Sequence, residues 1–134
     1  MNPRTRSIAA IIAGLAAFFV PAAIVFEVSY LLVVHILPQP DDWKTLRMNV
    51  EGMFGFLFSV AVGSIVGGYV TARVAKRAQF IHSAVVIALL CALRQTYIHW
   101  GPDTLWDQDY GLLRLAVLAL PFFTLGTWLG SRSP

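Results

Sequence analysis

Charge is scarce in this 134-residue chain. Asp, Glu, Lys and Arg make up 13% of it, where a soluble domain carries about a quarter. Against 57% hydrophobic residues and a mean hydropathy of +0.69, so little charge excludes an ordinary soluble domain and a disordered linker alike. A single cysteine, Cys91, rules out an intrachain disulfide and a CxxC redox pair; it is expected to pack as a small apolar residue. No HExxH, GxSxG, P-loop or GxGxxG motif is present, and Ser29, Ser59, Ser64 and Ser83 lie in apolar runs without a base on a neighbouring turn, so no enzyme and no cofactor are expected. Linkers and low-complexity tracts are also missing, which leaves one domain, residues 1–134.

What fills the chain is apolar runs. Four blocks, Ser7–Leu37, Val50–Ala72, Phe80–Trp100 and Gly111–Gly130, are each near the roughly 20 residues that span a bilayer core. The expected fold is an all-α integral membrane protein, a four-helix transmembrane bundle. The first block exceeds the needed length, and Pro21 offers a kink point. Arg4, Arg6 and Pro21-Ala22-Ala23 have some features of a signal peptide, yet the apolar run continues well beyond them, so the first span is expected to stay uncleaved.

The basic residues orient the spans. Arg4 and Arg6 precede the first, Arg73, Lys76 and Arg77 separate the second from the third, and Arg132 follows the fourth, with no acid in any of these segments. The other two loops hold Asp41, Asp42, Asp103, Asp107 and Asp109. The positive-inside rule places both termini in the cytoplasm, in a bacterial-type inner membrane. A pI near 9.4 reflects this topology and gives no reason to expect nucleic acid; the basic loop is suited to anionic lipid heads. The outer loops carry Trp43 and Trp106 beside their aspartates, and with Asp41, Asp42, Asp103 and Asp107 they are candidate interface residues.

Small residues recur every fourth position: Ala9/Ala13/Ala17, Gly63/Gly67, Ala84/Ala88/Ala92 and Gly126/Gly130. Lipid gives no hydrophobic drive between helices, so such rows mark close packing. Two readings stay open, packing inside one bundle or docking of another subunit or copy, with the GxxxG pairs Gly63/Gly67 and Gly126/Gly130 as the candidates. "VGGYVTAR" and "LGTWLGSR" align Arg73 with Arg132, Gly67 with Gly126 and Tyr69 with Trp128, which raises a tandem two-span repeat.

Glu27 stands alone in the first apolar run, in "IVFEVSYLLVVH". Measured from His35–Leu37, it lies about 12–15 Å below the outer end, and Arg94 about 6–9 Å below the end of the third span. A lone ion in hydrocarbon costs about 3 kcal/mol or more. The expectation is an outer-half polar cluster in which Glu27 meets Arg94, with Tyr30 and Tyr97 as further partners and Glu51 with Arg114 nearer the rim, above an apolar, small-residue inner half. That cluster could fix helix register, carry a proton, or meet a partner subunit or lipid head. His35, His99 and His82 lie at opposite ends, so no metal site is expected.

"GGYVTARVAKR", followed by Ile81-His82-Ser83, resembles the second-to-third span junction of small four-span bacterial membrane proteins of unknown function, which implies a fold and no activity. "AIVFEVSYLLVVH" resembles the first span of small multidrug resistance transporters; the resemblance implies that Glu27 is a proton and substrate site in a dimer. Ser29-Tyr30 replace that family's Gly-Thr, and Phe80–Trp100 lacks its glycine-rich third span. The expected role is a non-enzymatic accessory, scaffolding or assembly subunit partnered by lipid and by other membrane subunits or itself; the alternative is a small homo-oligomeric proton-coupled transporter using Glu27.

Overall fold

The computed structural model describes residues 2–36, 55–100 and 108–132. They form four helices: α1 (Pro3–Ile36), α2 (Phe56–Ala75), α3 (Gln79–Trp100) and α4 (Gln108–Arg132). Two stretches, Pro3–Ser29 and Leu57–Ala75, are long and apolar enough to cross a membrane, and Gln79–Arg94 is a shorter apolar helix. The helices overrun the apolar blocks: α1 begins at Pro3, α2 continues to Ala75 and α4 begins at Gln108. The start of the second block, residues 50–54, lies outside the described residues. Pro21 and Pro121 each delete a backbone donor, and their helices run on through them.

Only Lys76, Arg77 and Ala78 separate α2 from α3, which forces the two to run antiparallel. Lys76 closes α2 in the left-handed conformation at φ 58°, its N–H donating to the Ala72 carbonyl at 3.2 Å. That is the helix-ending geometry for which glycine is usual. Ala78 also has a positive φ, 49°.

Helix α2 is the hub, making most of its contact with α1 and α4. Its glycines set the register. A Cβ built on Gly67 would come within 3.0 Å of the Gly14 carbonyl, one on Gly63 within 2.7 Å of the Phe18 carbonyl, and one on Gly55 within 3.5 Å of Ser29. As α2 descends, α1 ascends, so the pair is antiparallel. On the other side, a Cβ on Gly126 would strike the Ile65 carbonyl, and one on Gly130 would reach the Tyr69 carbonyl at 2.5 Å. Residue numbers here rise together, so α2 and α4 are parallel. Backbone meets backbone at both contacts, which only a missing side chain allows.

Gly63, Gly67, Gly126 and Gly130 thus pack helices of this chain against one another. The alanine rows, open to packing or docking by sequence, fall differently on the two helices. On α1 the buried stripe is Ala10, Gly14 and Phe18, with Ala9, Ala13 and Ala17 half-buried beside it. On α3, Ala84, Ala88 and Ala92 are exposed, and Ser83, Val86, Ile87 and Leu90 face inward. Four-residue spacing defines a face but cannot say which way that face turns. The core is small: Phe18, Val86, Ile87, Leu90 and Phe123 form one cluster, Val60 and Ala119 another. Outside it, large apolar side chains such as Ile12, Ile24, Phe58, Ile81 and Val117 are about 60% exposed.

Gly126→Ala is expected to cost about 1–3 kcal/mol, because the Ile65 backbone cannot give way as a side chain would. Gly55→Ala, with only ordinary contacts at 3.5 Å and beyond, should stay within about 0.5 kcal/mol of the parent. Lys76→Gly should stabilise by about 1 kcal/mol through relief of the left-handed backbone. Denaturant unfolding in micelles, followed by far-UV circular dichroism, ranks the three; equal effects at Gly126 and Gly55 would refute the packing account.

Candidate functional site

Two adjacent rows on one side of α1, Phe18/Ala22/Phe26 and Phe19/Ala23/Glu27, line a cavity of about 650 Å³. The four-residue spacing stacks each row along the helix. Across from them α3 contributes Leu90, Leu93 and Arg94, and α2 provides a floor of Ser59 and Val60. The inner end closes where Phe18, 6% exposed, meets Leu90, 4% exposed, in the core cluster. Phe18 and Phe19 meet edge to face, centroids 5.3 Å apart. The side is open, as Phe19, Phe26 and Leu93 are each about half exposed.

The two charges lie at the other end. Glu27 is exposed, and among the described residues it has no ion-pair or hydrogen-bond partner; Arg94 is half-buried. They share the cavity without forming the ion pair expected between them. Gly55 packs on Phe26 and Ser29, so Glu27 is level with the first described turn of α2. Helix α1 continues past it to Ile36.

Of the other expected cluster members, the side chains of Tyr30, Tyr97 and Arg114 lie outside the described residues, as do Glu51, Asp41, Asp42, Trp43, Asp103, Trp106 and Asp107 entirely. The side chains of His35 and His99 are outside them too. Among the described residues no three His, Cys, Asp or Glu side chains come together.

The half of the bundle around the Lys76–Ala78 turn, expected to be apolar, encloses hydroxyls. Ser64, Thr71 and Thr127 are fully buried and Ser83 nearly so. Thr71 donates to the Gly67 carbonyl at 2.7 Å and Thr127 to the Phe123 carbonyl at 2.8 Å, while Ser83 and Thr127 share a 2.7 Å hydrogen bond between α3 and α4. The Thr71 hydroxyl occupies the space a Gly14 side chain would need. The buried Ser64 hydroxyl has no hydrogen-bond partner among the described residues. Ser64 and Thr127 each follow a glycine, the signal the sequence held for them. At the chain's C-terminal end, Arg132 stacks over Trp128 at 4.0 Å.

No family model, curated protein or solved structure matches the chain.

The Ser83–Thr127 bond links α3 and α4 through two buried hydroxyls. A double-mutant cycle with Ser83→Ala and Thr127→Val should return a coupling of about 0.6–1.5 kcal/mol in micelles. Additive single effects would mean that the two hydroxyls act independently through their own helices.

Proposed function

We propose that the chain is a multi-pass protein of a bacterial-type inner membrane, with both termini cytoplasmic, acting as a non-enzymatic accessory, scaffolding or assembly subunit. The apolar exterior supports the membrane setting, since side chains such as Ile12, Phe58 and Ile81 lie outermost and suit lipid rather than water. The basic turn Arg73, Lys76 and Arg77 would face the cytoplasm. The observation that carries the subunit reading is the outward face of α3. This helix packs less closely than α2, and Ala84, Ala88 and Ala92 stand exposed at four-residue spacing, the surface on which another membrane helix approaches closely.

The repeat gains support from the same bundle. A Cβ built on Gly68 would come within 3.0 Å of the Thr127 backbone nitrogen, the same offset that superposes Arg73 on Arg132. A two-fold axis along the bundle would bring such equivalent positions of parallel α2 and α4 together.

A second reading, a small homo-oligomeric proton-coupled transporter, is favoured by Glu27 facing a roomy cavity without a described partner. Against it stands the fixed positive charge of Arg94 in the same cavity, which repels a cationic substrate.

Gentle detergent extraction at native expression, with sizing and mass spectrometry, should recover a larger complex of fixed stoichiometry. Ala88→Leu should release this chain from it while its own helicity is unchanged. A chain recovered alone or only with itself would overturn the subunit reading; a loss of proton flux in Glu27→Gln would then establish the transporter.

A further inference from the structure

We propose that the groove between α1 and α3 holds one acyl chain of a phospholipid whose head group carries both an amine and a phosphate. The proposal rests on the membrane reading above, though not on the subunit role. The volume, about 650 Å³, falls within the roughly 300–1,000 Å³ of small-molecule sites. Its polarity is graded: the opposite charges Glu27 and Arg94 are at one end, and Phe18, Leu90 and Val60 are at the other.

The dimensions agree with that occupant. From Phe18 to Glu27 the groove follows α1 for ~13 Å, close to half of the ~30 Å hydrocarbon core. Its charged end is level with Gly55, which packs on Phe26 and Ser29. A groove of that length matches the reach of one lipid leaflet. The exposed flanks Phe19, Phe26 and Leu93 leave the side open, so a chain enters without leaving hydrocarbon.

Charge selects the head group. Glu27 receives an ammonium and repels a purely anionic head; Arg94 receives a phosphate and repels a purely cationic one. A guanidinium has five N–H donors, so Arg94 binds phosphate alongside any contact it already makes. The shape excludes a transmembrane helix as the occupant. A helix is about 10–12 Å across with its side chains, and a spanning one needs a groove open from end to end. This groove is closed halfway by Phe18 and Leu90, both nearly buried.

The full chain, purified in mild detergent, is titrated with dioleoyl-phosphatidylethanolamine, dioleoyl-phosphatidylglycerol and a dioleoyl trimethylammonium lipid, and binding is read by native mass spectrometry. The expected result is one phosphatidylethanolamine per chain, held about tenfold more tightly than either other lipid. Glu27→Gln, on an exposed helix face, should erase the preference over phosphatidylglycerol and keep that over the cationic lipid; Arg94→Gln should do the reverse. Ala23→Trp should fill the groove and abolish binding, with helicity by circular dichroism intact. Equal binding of all three lipids, or unchanged discrimination in Glu27→Gln, overturns the proposal. So does Ala23→Trp dissociating a protein complex without altering lipid binding. Recovery of the chain in the soluble fraction of cells would overturn the membrane reading itself, so the two failures are distinct.

Discussion

Everything in this bundle depends on how closely α2 approaches its two main neighbours. At Gly63 and Gly67 it lies against the backbone of α1, and at Gly126 and Gly130 the backbone of α4 lies against it. At such separations dispersion acts between main chains over several turns, and no single large side chain is needed. This explains why the core contains so few large residues, with Phe123 and Val86 the largest that are fully enclosed. It also explains how an exterior so rich in exposed Ile, Leu, Val and Phe coexists with a defined helix arrangement.

The buried hydroxyls follow from the same closeness. Thr71 fits because Gly14 has no side chain, and Thr127 sits where Gly68 lets α2 and α4 converge. Each bonds to a carbonyl of its own helix, which removes the cost of enclosing a free hydroxyl. Ser83 extends that chemistry to α3, the helix otherwise held least closely to the hub. Small and hydroxylated residues therefore concentrate on one side of the molecule, around the tight turn of Lys76, Arg77 and Ala78.

Toward the other end the packing loosens. Beyond Phe18 and Leu90, α1 and α3 leave the cavity bordered by Phe19, Phe26 and Leu93, with Glu27 and Arg94 at its mouth. A carboxylate there reaches solvent or a head group, so it needs no ion-pair partner within the chain. The proposed lipid would bind at this end, with the glycine-packed half as the scaffold that holds the groove.

Helices were legible from apolar runs of nearly constant length, and glycine contacts from their spacing at Gly63/Gly67 and Gly126/Gly130, because composition and period are local properties. The direction in which a face turns was not. Ala84, Ala88 and Ala92 share a spacing with Gly126 and Gly130 yet point outward, since rotation of a helix about its axis is set by what it packs against. Depth was likewise undetermined for α1, whose 34 residues exceed any single span. The contact of Gly55 with Phe26 and Ser29 set its register against α2. The sequence by itself determined four apolar helices and where their charges fall along the chain. The tertiary structure alone decided which faces meet, and so placed Glu27 and Arg94 in one groove, because that depends on contacts between residues far apart in the chain.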